Sequence, residues 1–368
     1  MSSLNDTTTS SDSEYLLFPS NSSYGRLLCL TGRHSNDGGR NSYALAWPDA
    51  IPPGATLLAG LTFVSDTYYD YHNIWHGLSA VFPFVGWHLR NGTCEAPARW
   101  VLYHWGELRL GMGPWVGSLM WATFGERVHV DGLDRVGPTC FERALVFRHN
   151  LGAMGREKRL EVFDVLRCKA RAYCNVSQGA PDKIIGLTLL LRTGPRSFKN
   201  ESGVVRIFER ECGKMDSCRL TVARSDDLSF CDQVKLMSET DILASPHGAQ
   251  LTNMFLMERD SSVMEFYPRG WLELAGVGQY VYKWEASWSG MRHQGAWRDP
   301  EEGEECPNPK DRGDCFSFYK SGKIGHNETF LTAWIVDVLN QEKIRRSQEA
   351  SSMESGNHYV KPSKCPCS

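Results

Sequence analysis

The second half of the chain alternates short apolar runs with amphipathic segments. Between residues 183 and 266 the pattern predicts four strands separated by three helices, at Lys183–Leu191, Gly203–Glu211, Arg219–Ala223, Leu228–Ser238, Asp241–Ala244, Gly248–Met257 and Ser262–Phe266. Strands that alternate with helices in this way are typical of a parallel sheet with crossover helices. Another helix is predicted from Glu328 to Arg346, where apolar residues recur on one face. This half is therefore predicted to be a doubly wound α/β domain.

The first half carries short strand-like runs in a region rich in Trp and Tyr. These runs lie at Leu27–Leu30, Thr56–Val64, Trp100–Tyr103 and Arg143–Phe147. An amphipathic helix is predicted over Arg156–Ala172, because Leu160, Phe163, Leu166 and Ala170 recur at spacings of three and four. A second set of strands is therefore expected in this half, and the helix is expected to close it.

Composition divides the chain into four segments. Residues 1–25 are rich in Ser, Thr, Asn and Asp and are predicted to be a flexible stem. The Gly179-Ala180-Pro181 break separates a first domain, residues 26–180, from a second domain, residues 181–346. Residues 347–368 are predicted to be a solvated tail.

Charge and hydropathy give no sign of a nucleic-acid or membrane partner. The 368 residues carry 40 Lys and Arg against 43 Asp and Glu, a formal charge of −3, so no global field favours a polyanion. The longest apolar runs, Leu57–Val64 and Leu78–Trp87, are far shorter than the roughly 20 residues that span a bilayer. The opening MSSLNDTTTSSDSEY lacks the features of a secretory signal. Taken alone, that start favours a cytosolic protein.

Sequons and cysteines favour the secretory pathway instead. Six N-x-[ST] sequons begin at Asn5, Asn21, Asn91, Asn175, Asn200 and Asn327, where composition alone gives about two. The 12 cysteines are scattered, which favours disulfides over reduced thiols, and the spacing of a zinc finger is absent. We therefore expect exposure to the Golgi or endoplasmic reticulum lumen, with an anchor or signal outside this sequence.

The segment DILASPHGAQLTN, residues 241–253, predicts an anion site. A buried strand ends at Ser245-Pro246, and the free N–H groups of the next helix face the carboxyl edge of the sheet, where nucleotides bind. The residues predicted to contact a ligand are His247, Gly248, Ala249, Thr252 and Asn253. The alternative is a tight strand-to-helix turn with a satisfied histidine.

Cations and a carboxylate flank this segment. Arg192, Arg196 and Lys199 follow the first strand of the half in LLLRTGPRSFKN, where they could neutralise a diphosphate without a metal. A solvated basic loop is the alternative. Glu265, at the end of a strand in SSVMEFYP, is predicted to accept hydrogen bonds from both ribose hydroxyls.

These segments together resemble glycosyltransferase family 61. SPHGAQLTNMFLMERDSSVMEFYP resembles the family's HGAxLTN and VxExxP signature, and Arg192, Arg196 and Asn200 match its R-x3-R-x3-N element. NIWH, at residues 73–76, resembles its N-[IL]-[FYW]-H segment, so the resemblance runs from about Cys29 to Leu339. It implies an α/β fold of the GT-B type, with two facing Rossmann-like domains. The N-terminal domain would then serve the acceptor, and the C-terminal domain the nucleotide sugar.

The resemblance also implies a reaction. It is the inverting, metal-independent transfer of xylose, N-acetylglucosamine or arabinose from a UDP-sugar to a hydroxyl of a glycan, glycoprotein or polysaccharide. The UDP-sugar is a co-substrate, and no cofactor or metal is expected, since Asp226-Asp227 and Asp311–Asp314 lie in charged loops. Nucleic acid is not expected as a partner, and a membrane only through an anchor outside this sequence.

Two positions depart from the family pattern. Gln250 stands where many members have Gly, and Ala80 stands where the family often has Asp, four residues after the histidine of NIWH. If that Asp is the usual base, another group must replace it, and His76 fits best on its intrinsic pKa. The other nearby candidates are Asp70, Asp66 and Glu107. His76 could equally be a packed structural histidine.

Two further alternatives stay open. The first half offers Trp75, Trp87, Trp105, Trp115 and Trp121, either as flat faces for an acceptor sugar or as an ordinary aromatic core. A non-catalytic glycan- or nucleotide-binding protein that retains the fold is the rival to an enzyme. Ala80 favours the rival, whereas the intact arginine and HGA elements favour the enzyme.

Overall fold

The computed structural model describes residues 15–31, 42–66, 71–92, 94–104, 107–126, 128–133, 136–147, 154–176, 184–298, 305–354 and 365–367. The chain forms two compact units, Met1–Val165 with Pro366–Ser368, and Leu166–Cys365. The division falls inside the helix Arg156–Tyr173. The predicted break at residues 179–181 lies outside the described residues.

The first unit contains β1 to β8 and the helices α1 and α2, and α3 begins in it. In chain order the elements are β1 Tyr15–Phe18, β2 Leu27–Thr31, β3 Ser42–Ala46, β4 Thr56–Asp66, α1 Ile74–His88, β5 Arg99–His104, β6 Glu107–Arg109, α2 Pro114–Phe124, β7 His129–Val130, β8 Thr139–Phe147 and α3 Arg156–Tyr173. The four strands and the helix predicted in this half are all present, with bounds that differ by a few residues.

The strands of the first unit build one mixed sheet. Among the described residues its order is β3-β2-β8-β4-β5-β6, with β1 also paired to β8 and β7 to β5. Strands β8, β4 and β5 run parallel, and the others except β7 add antiparallel edges. Because β1 pairs with β8, the prediction of a flexible stem is wrong for Tyr15–Phe18.

Aromatic side chains form much of the core of this unit. Phe63, Phe84 and Trp100 are fully buried, and their ring centroids lie 4.6 to 5.1 Å apart. Phe63 and Trp100 come from adjacent strands, and Phe84 comes from α1, so the cluster holds the helix against the sheet. Fixed edge-to-face contacts of this kind stabilise beyond the buried area alone, by roughly 0.5–1.5 kcal/mol per pair.

The second unit contains the elements that the sequence pattern predicted and several that it did not predict. They are β9 Ile185–Leu191, α4 Glu201–Gly213, β10 Cys218–Arg224, α5 Phe230–Ser238, β11 Ile242–Pro246, β12 Ser262–Tyr267, α6 Trp271–Leu274, α7 Val281–Ser289, β13 Arg292–Arg298, α8 Arg312–Ser321 and α9 Glu328–Glu354. The segment predicted as a helix near Gly248–Met257 is a 3-10 helix, Ala249–Leu256. Strand β13 and helices α6, α7 and α8 have no counterpart in the prediction.

The sheet of the second unit is parallel and has a switch point. Its described strands lie in the order β10-β9-β11-β12-β13, all parallel. The chain moves outward from β9 to β10 and then crosses back to β11, so the direction of winding reverses between β9 and β11. Ligands of such sheets bind outside the carboxyl ends of the strands at this reversal. The prediction of an α/β fold with a parallel sheet is confirmed.

The core of the second unit explains its strand sequences. Every residue of β9, β11 and β12 is buried, because helices cover both faces of a parallel sheet. Helices α4 and α9 pack together on one face of the sheet. The hydrophobic cluster of this unit includes Phe208, Leu331 and Ile335. Apolar strands of this kind read as continuous runs, which is why the pattern predicted them correctly.

All 12 cysteines form disulfides, as predicted. The pairs are Cys29–Cys140, Cys94–Cys367, Cys168–Cys365, Cys174–Cys231, Cys212–Cys218 and Cys306–Cys315. The predicted solvated tail is therefore wrong at Cys365 and Cys367, and α9 continues to Glu354, past its predicted end at Arg346. Among the described helices, none combines the length and the apolar character that a membrane span requires.

Candidate functional site

The loop after β9 presents two arginines at the switch point. Arg192 follows the last residue of β9, and its Nη1 donates a hydrogen bond of 3.1 Å to the carbonyl oxygen of His247, directly after β11. Arg196 has a left-handed backbone, with φ of 62°, and its N–H donates to the carbonyl oxygen of Gly322 at 2.8 Å. Such a conformation is costly for a non-glycine residue and is a feature of functional loops.

Both guanidinium groups are held without a carboxylate partner. Within the described residues neither Arg192 nor Arg196 forms a salt bridge, and the buried Nε atom of each has no hydrogen-bond partner. Burial and the charge of Arg192 together lower the pKa of Arg196 to about 10. Burial also lowers the pKa of Arg192, partly offset by Asp226. Two crowded, partly desolvated cations are therefore a place where a bound anion would be stabilised.

The asparagine of the R-x3-R-x3-N element has a structural role. Asn200 is the N-cap of α4, and its side-chain oxygen accepts a hydrogen bond of 2.9 Å from the N–H of Gly203. Asn73 of NIWH likewise caps α1, accepting from the N–H groups of Trp75 and His76. Asn is among the favoured N-cap residues, so both asparagines fix where a helix begins.

The turn after β11 brings the HGA segment against the arginines. The N–H of His247 extends the ladder by donating to the carbonyl oxygen of Phe266 at 2.8 Å. Gly248 then passes so close to Arg192 that an added Cβ would clash with Nη1 of that side chain. Only a glycine therefore lets this backbone and the guanidinium share the site.

The departure at Gln250 stabilises this turn. Its side-chain amide donates to Oγ of Ser245 at 2.7 Å, which ties the start of the 3-10 helix to the end of β11. Thr252 and Asn253, predicted to contact a ligand, are buried, at 0% and 1% exposure. Ala249 is half-buried beside them. The structure thus brings together Arg192, Arg196, His247, Gly248 and Ala249, with Thr252 and Asn253 lying beneath the turn.

Glu265 lies between two histidines. Its Oε1 is 2.6 Å from Nδ1 of His247, and its Oε2 is 2.8 Å from Nε2 of His293. Burial raises the pKa of Glu265, but its hydrogen bonds with His247 and His293 outweigh burial, so the pKa lies below its ordinary value. Both oxygens are engaged, so the predicted contact with ribose hydroxyls would need one of them to be released, and that role stays a prediction.

Three aromatic rings surround the imidazole of His247. Their centroids lie 4.9 Å away for Tyr267, 5.1 Å for Trp271 and 5.1 Å for Tyr282. Arg196 lies over the Trp271 ring, at 5.4 Å from its centroid, and the buried Nε1 of Trp271 has no hydrogen-bond partner in the described part of the chain. The site is therefore cationic on one side and aromatic on the other.

A second carboxyl group lies beneath the site. Glu285 on α7 is fully buried, and neither of its carboxyl oxygens has a hydrogen-bond partner among the described residues. Burial, with the charge of Glu265, raises its pKa well above the ordinary value. Burial therefore favours the neutral form of Glu285, whereas the hydrogen bonds of Glu265 favour its ionised form.

Several residues of this site lie on elements that the sequence pattern did not predict. His293 lies on β13, Trp271 on α6, and Tyr282 and Glu285 on α7. The sequence indicates their place in the site only indirectly, because that place depends on which helix packs against the 3-10 helix after β11. His293, early in the edge strand β13, is the residue whose chemistry could have indicated the site from sequence.

The base candidates lie in the first unit. Asp66 ends β4 and is half-buried, and His76 lies half-buried in the first turn of α1. Asp70 lies outside the described residues. Ala80, where the family often has Asp, is on the inner side of α1 and 4% exposed. The tryptophans differ in exposure. Trp115 is buried, Trp75 and Trp87 are half-buried, and Trp121 is 44% exposed. Trp105 lies outside the described residues.

A separate groove lies on the described surface of the second unit. It holds about 570 Å³ at the N-terminal ends of α4 and α9. Arg210 and Glu328 pair across it, and from the predicted site only Asn200 reaches it. Charged side chains that already pair with one another favour a solvated groove.

The fold and the site define an α/β protein with a cationic site at the carboxyl edge of a parallel sheet. Residues 72–264 match the profile of the family described as Glycosyltransferase 61. This match covers more than half of the chain, and the chain belongs to that family.

Two relatives carry the name protein O-linked-mannose beta-1,4-N-acetylglucosaminyltransferase 2. The protein of Xenopus laevis is 32% identical over 165 residues, which is 44% of this chain and 25% of that protein. The protein of Canis lupus familiaris is 32% identical over 95 residues, which is 26% of this chain and 16% of that protein. The matched stretches thus span a quarter or less of these relatives.

Proposed function

We propose that the protein transfers a sugar from a UDP-sugar to a hydroxyl group, with inversion and without a metal, in a GT-B arrangement. The observation that carries the proposal is the convergence of Arg192, Arg196 and His247 at the switch point. Two cations and an imidazole at the end of parallel strands suit the diphosphate of a nucleotide sugar. Among the described residues no carboxylate forms a salt bridge with Arg192 or Arg196, so their charge is available to an anion.

In the proposed reaction the oxygen of the acceptor hydroxyl attacks the anomeric carbon. The bond from that carbon to the UDP oxygen breaks, and its electron pair leaves on the diphosphate. Arg192, Arg196 and His247 stabilise this growing negative charge. The proton of the hydroxyl passes to a base, for which His76, Asp66 and Asp70 are the candidates.

N-acetylglucosamine is the first sugar to test, because the two relatives are named as N-acetylglucosaminyltransferases acting on O-linked mannose. Xylose and arabinose follow, as the family resemblance allows. A glycan, a glycoprotein or a polysaccharide would be the acceptor. Six disulfides and the sequons support a place in the Golgi or endoplasmic reticulum lumen.

The test is calorimetric binding of UDP, with and without EDTA, to the wild type and to Arg192→Ala. We expect EDTA to have no effect and the variant to lose more than about 1.4 kcal/mol, a tenfold change. Arg219→Ala is the matched control, because that arginine is 49% exposed and pairs with Glu239 on the surface. A folded wild type that fails to bind UDP would contradict the proposal.

Transfer assays then separate an enzyme from a binding protein. UDP-N-acetylglucosamine, UDP-xylose and UDP-arabinose are each incubated with the protein, and release of UDP is followed with and without acceptor. Binding without release by any donor would favour the rival reading, a non-catalytic protein that retains the fold. Where turnover occurs, comparison of kcat for His76→Gln, Asp66→Asn and Asp70→Asn identifies the base, since loss of the base costs about 10²- to 10⁴-fold.

A further inference from the structure

The hydrogen bonds around Glu265 fix the proton positions on two histidines. The N–H of Gly295 donates to Nδ1 of His293 at 3.3 Å, so this nitrogen is an acceptor. The proton of a neutral His293 must then be on Nε2, which donates to Oε2 of Glu265 at 2.8 Å. The ring is 9% exposed, and its orientation is set on both sides.

Glu265 in turn fixes His247. The carboxylate is fully buried and carries no proton, so it can only accept hydrogen bonds. Nδ1 of His247, 2.6 Å from Oε1, must therefore be the donor. Nε2 of His247 is left as the nitrogen that can gain or lose a proton, and within the described part of the chain no hydrogen bond reaches it.

The charges around His247 oppose one another. Glu265 stabilises a protonated imidazole, whereas the guanidinium groups of Arg192 and Arg196 disfavour it. The titratable or charged groups that face the site are Arg192, Arg196 and Asp226 around the end of β9, Glu265 and Tyr267 on β12, Tyr282 and Glu285 on α7, and His293 on β13. A bound diphosphate would offset the two guanidinium charges and change this balance in favour of protonation.

We propose that His293 and Glu265 are positioning residues for His247, and that His247 takes up a proton when a nucleoside diphosphate binds. The protonated Nε2 then donates to a phosphate oxygen, while Nδ1 stays bound to Glu265. This inference rests on the proposed donor site. It makes the affinity for UDP fall as pH rises above the range in which imidazole titrates, by up to about tenfold per pH unit.

The test is calorimetry of UDP binding at pH 7.5 and 8.5 in buffers of different ionisation enthalpy. The dependence of the heat on the buffer gives the number of protons taken up per UDP. At these pH values a terminal phosphate, with a pKa of about 6, is almost fully ionised. We expect net uptake approaching about one proton for the wild type, and uptake close to zero for His247→Gln. His326→Gln, a histidine of the same unit outside the site, should behave as the wild type.

Variants of His293 separate positioning from simple packing. His293→Gln keeps an N–H that can donate to Glu265, whereas His293→Leu removes it. We expect His293→Gln to retain the proton uptake and His293→Leu to lose most of it, with a several-fold weaker binding of UDP. If His247→Gln fails to fold, the wild type alone tests the idea through its affinity between pH 6.5 and 9.

The possible failures are distinguishable. If the folded wild type does not bind UDP, the proposed function is wrong. If it binds UDP with equal proton uptake in the wild type and His247→Gln, or with an affinity independent of pH, the donor site stands and the proton-linked role of His247 is overturned. Equal proton uptake by His293→Gln and His293→Leu overturns only the positioning role of His293.

Discussion

The guanidinium of Arg192 donates a hydrogen bond of 3.1 Å to the carbonyl oxygen of His247, 55 residues further along the chain. This contact joins the ends of β9 and β11, the two strands between which the winding of the sheet reverses. It links the R-x3-R-x3-N element to the HGA segment in space. The two sequence motifs therefore form one site, and their spacing in the chain reflects the crossover through α4, β10 and α5.

Gly248→Ala should weaken UDP binding at least tenfold, or about 1.4 kcal/mol. The added Cβ would clash with Nη1 of Arg192 and lie 3.8 Å from Nη1 of Arg196. The Arg192 side chain would move away, so we expect its hydrogen bond to His247 and its contact with the ligand to be lost. Stability should change little, because the end of a long side chain can move.

Gly213→Ala is the control for this change. Gly213 ends α4, and a Cβ added there meets nothing within 4 Å. UDP affinity and the melting temperature of this variant should match the wild type. Unchanged UDP affinity in Gly248→Ala would show that the arginine contact with this backbone does not serve the ligand.

Ala80→Asp should destabilise the protein and should not raise its activity. Position 80 is 4% exposed on the inner side of α1, where an ionised carboxylate would be desolvated. We expect the free energy of unfolding to fall by about 3 kcal/mol or more at pH 7.5. The measurement is the fall in the unfolding midpoint. Ala80→Asn is the neutral control, and the gap between the two variants should narrow as the pH falls towards 4.5. A stable Ala80→Asp protein with increased turnover would instead mean that this position serves the reaction.

Glu285→Gln should stabilise the protein increasingly as pH rises. The pKa of Glu285 is raised in the folded state, whereas an exposed Glu ionises near pH 4.3. Above that pH the unfolded chain gains from ionisation and the folded protein does not, so the wild type loses up to about 1.4 kcal/mol of stability per pH unit. Gln is neutral and similar in shape, so it removes this penalty.

Unfolding midpoints of wild type and Glu285→Gln at pH 4.5, 6 and 8 measure this effect. The two proteins should be nearly equal at pH 4.5, and the variant should unfold at a higher temperature at pH 8. A difference that does not depend on pH would mean that Glu285 is ionised in the folded protein. Glu209→Gln on the rim of the α4 groove serves as the control for a surface Glu.

Removal of Cys168–Cys365 should cost more stability than removal of Cys212–Cys218. The first disulfide joins residues 197 apart, and the second joins residues 6 apart. Restriction of the unfolded chain grows with loop length, which gives about 5 kcal/mol for the first and about 2 kcal/mol for the second. Unfolding of the two Cys→Ser double variants in guanidinium chloride compares them directly. Equal losses would mean that native contacts near each bond matter more than loop length.

The fold of the second unit could be predicted well because its strands are buried on both faces. The mostly apolar runs at Ile185–Leu191 and Ser262–Tyr267 leave little ambiguity. The segment Ala249–Leu256 was harder, since a 3-10 helix shares its composition with an α-helix. Strand β13, RHQGAWR, was missed because four of its first five residues are polar or glycine, and it forms only by pairing with β12.

The site was predictable in part. Arg192, Arg196 and His247 follow predicted strands, so the sequence placed them at the same edge of the sheet. The role of Glu265 was not predictable, because it depends on a histidine from β13 that only the folded sheet brings within 2.8 Å. Glu285 gave no signal, since a carboxylate in an amphipathic segment usually faces solvent.

The disulfides impose an order on biosynthesis. Cys94 pairs with Cys367, 273 residues later, and Cys168 pairs with Cys365. At 5–20 residues per second a ribosome needs about 14 to 55 s to make the chain between Cys94 and its partner. Until its partner has been made, each of Cys94 and Cys168 is open to the wrong partners. Yield in a heterologous host should therefore depend more on the supply of disulfide isomerase than on the rate of translation.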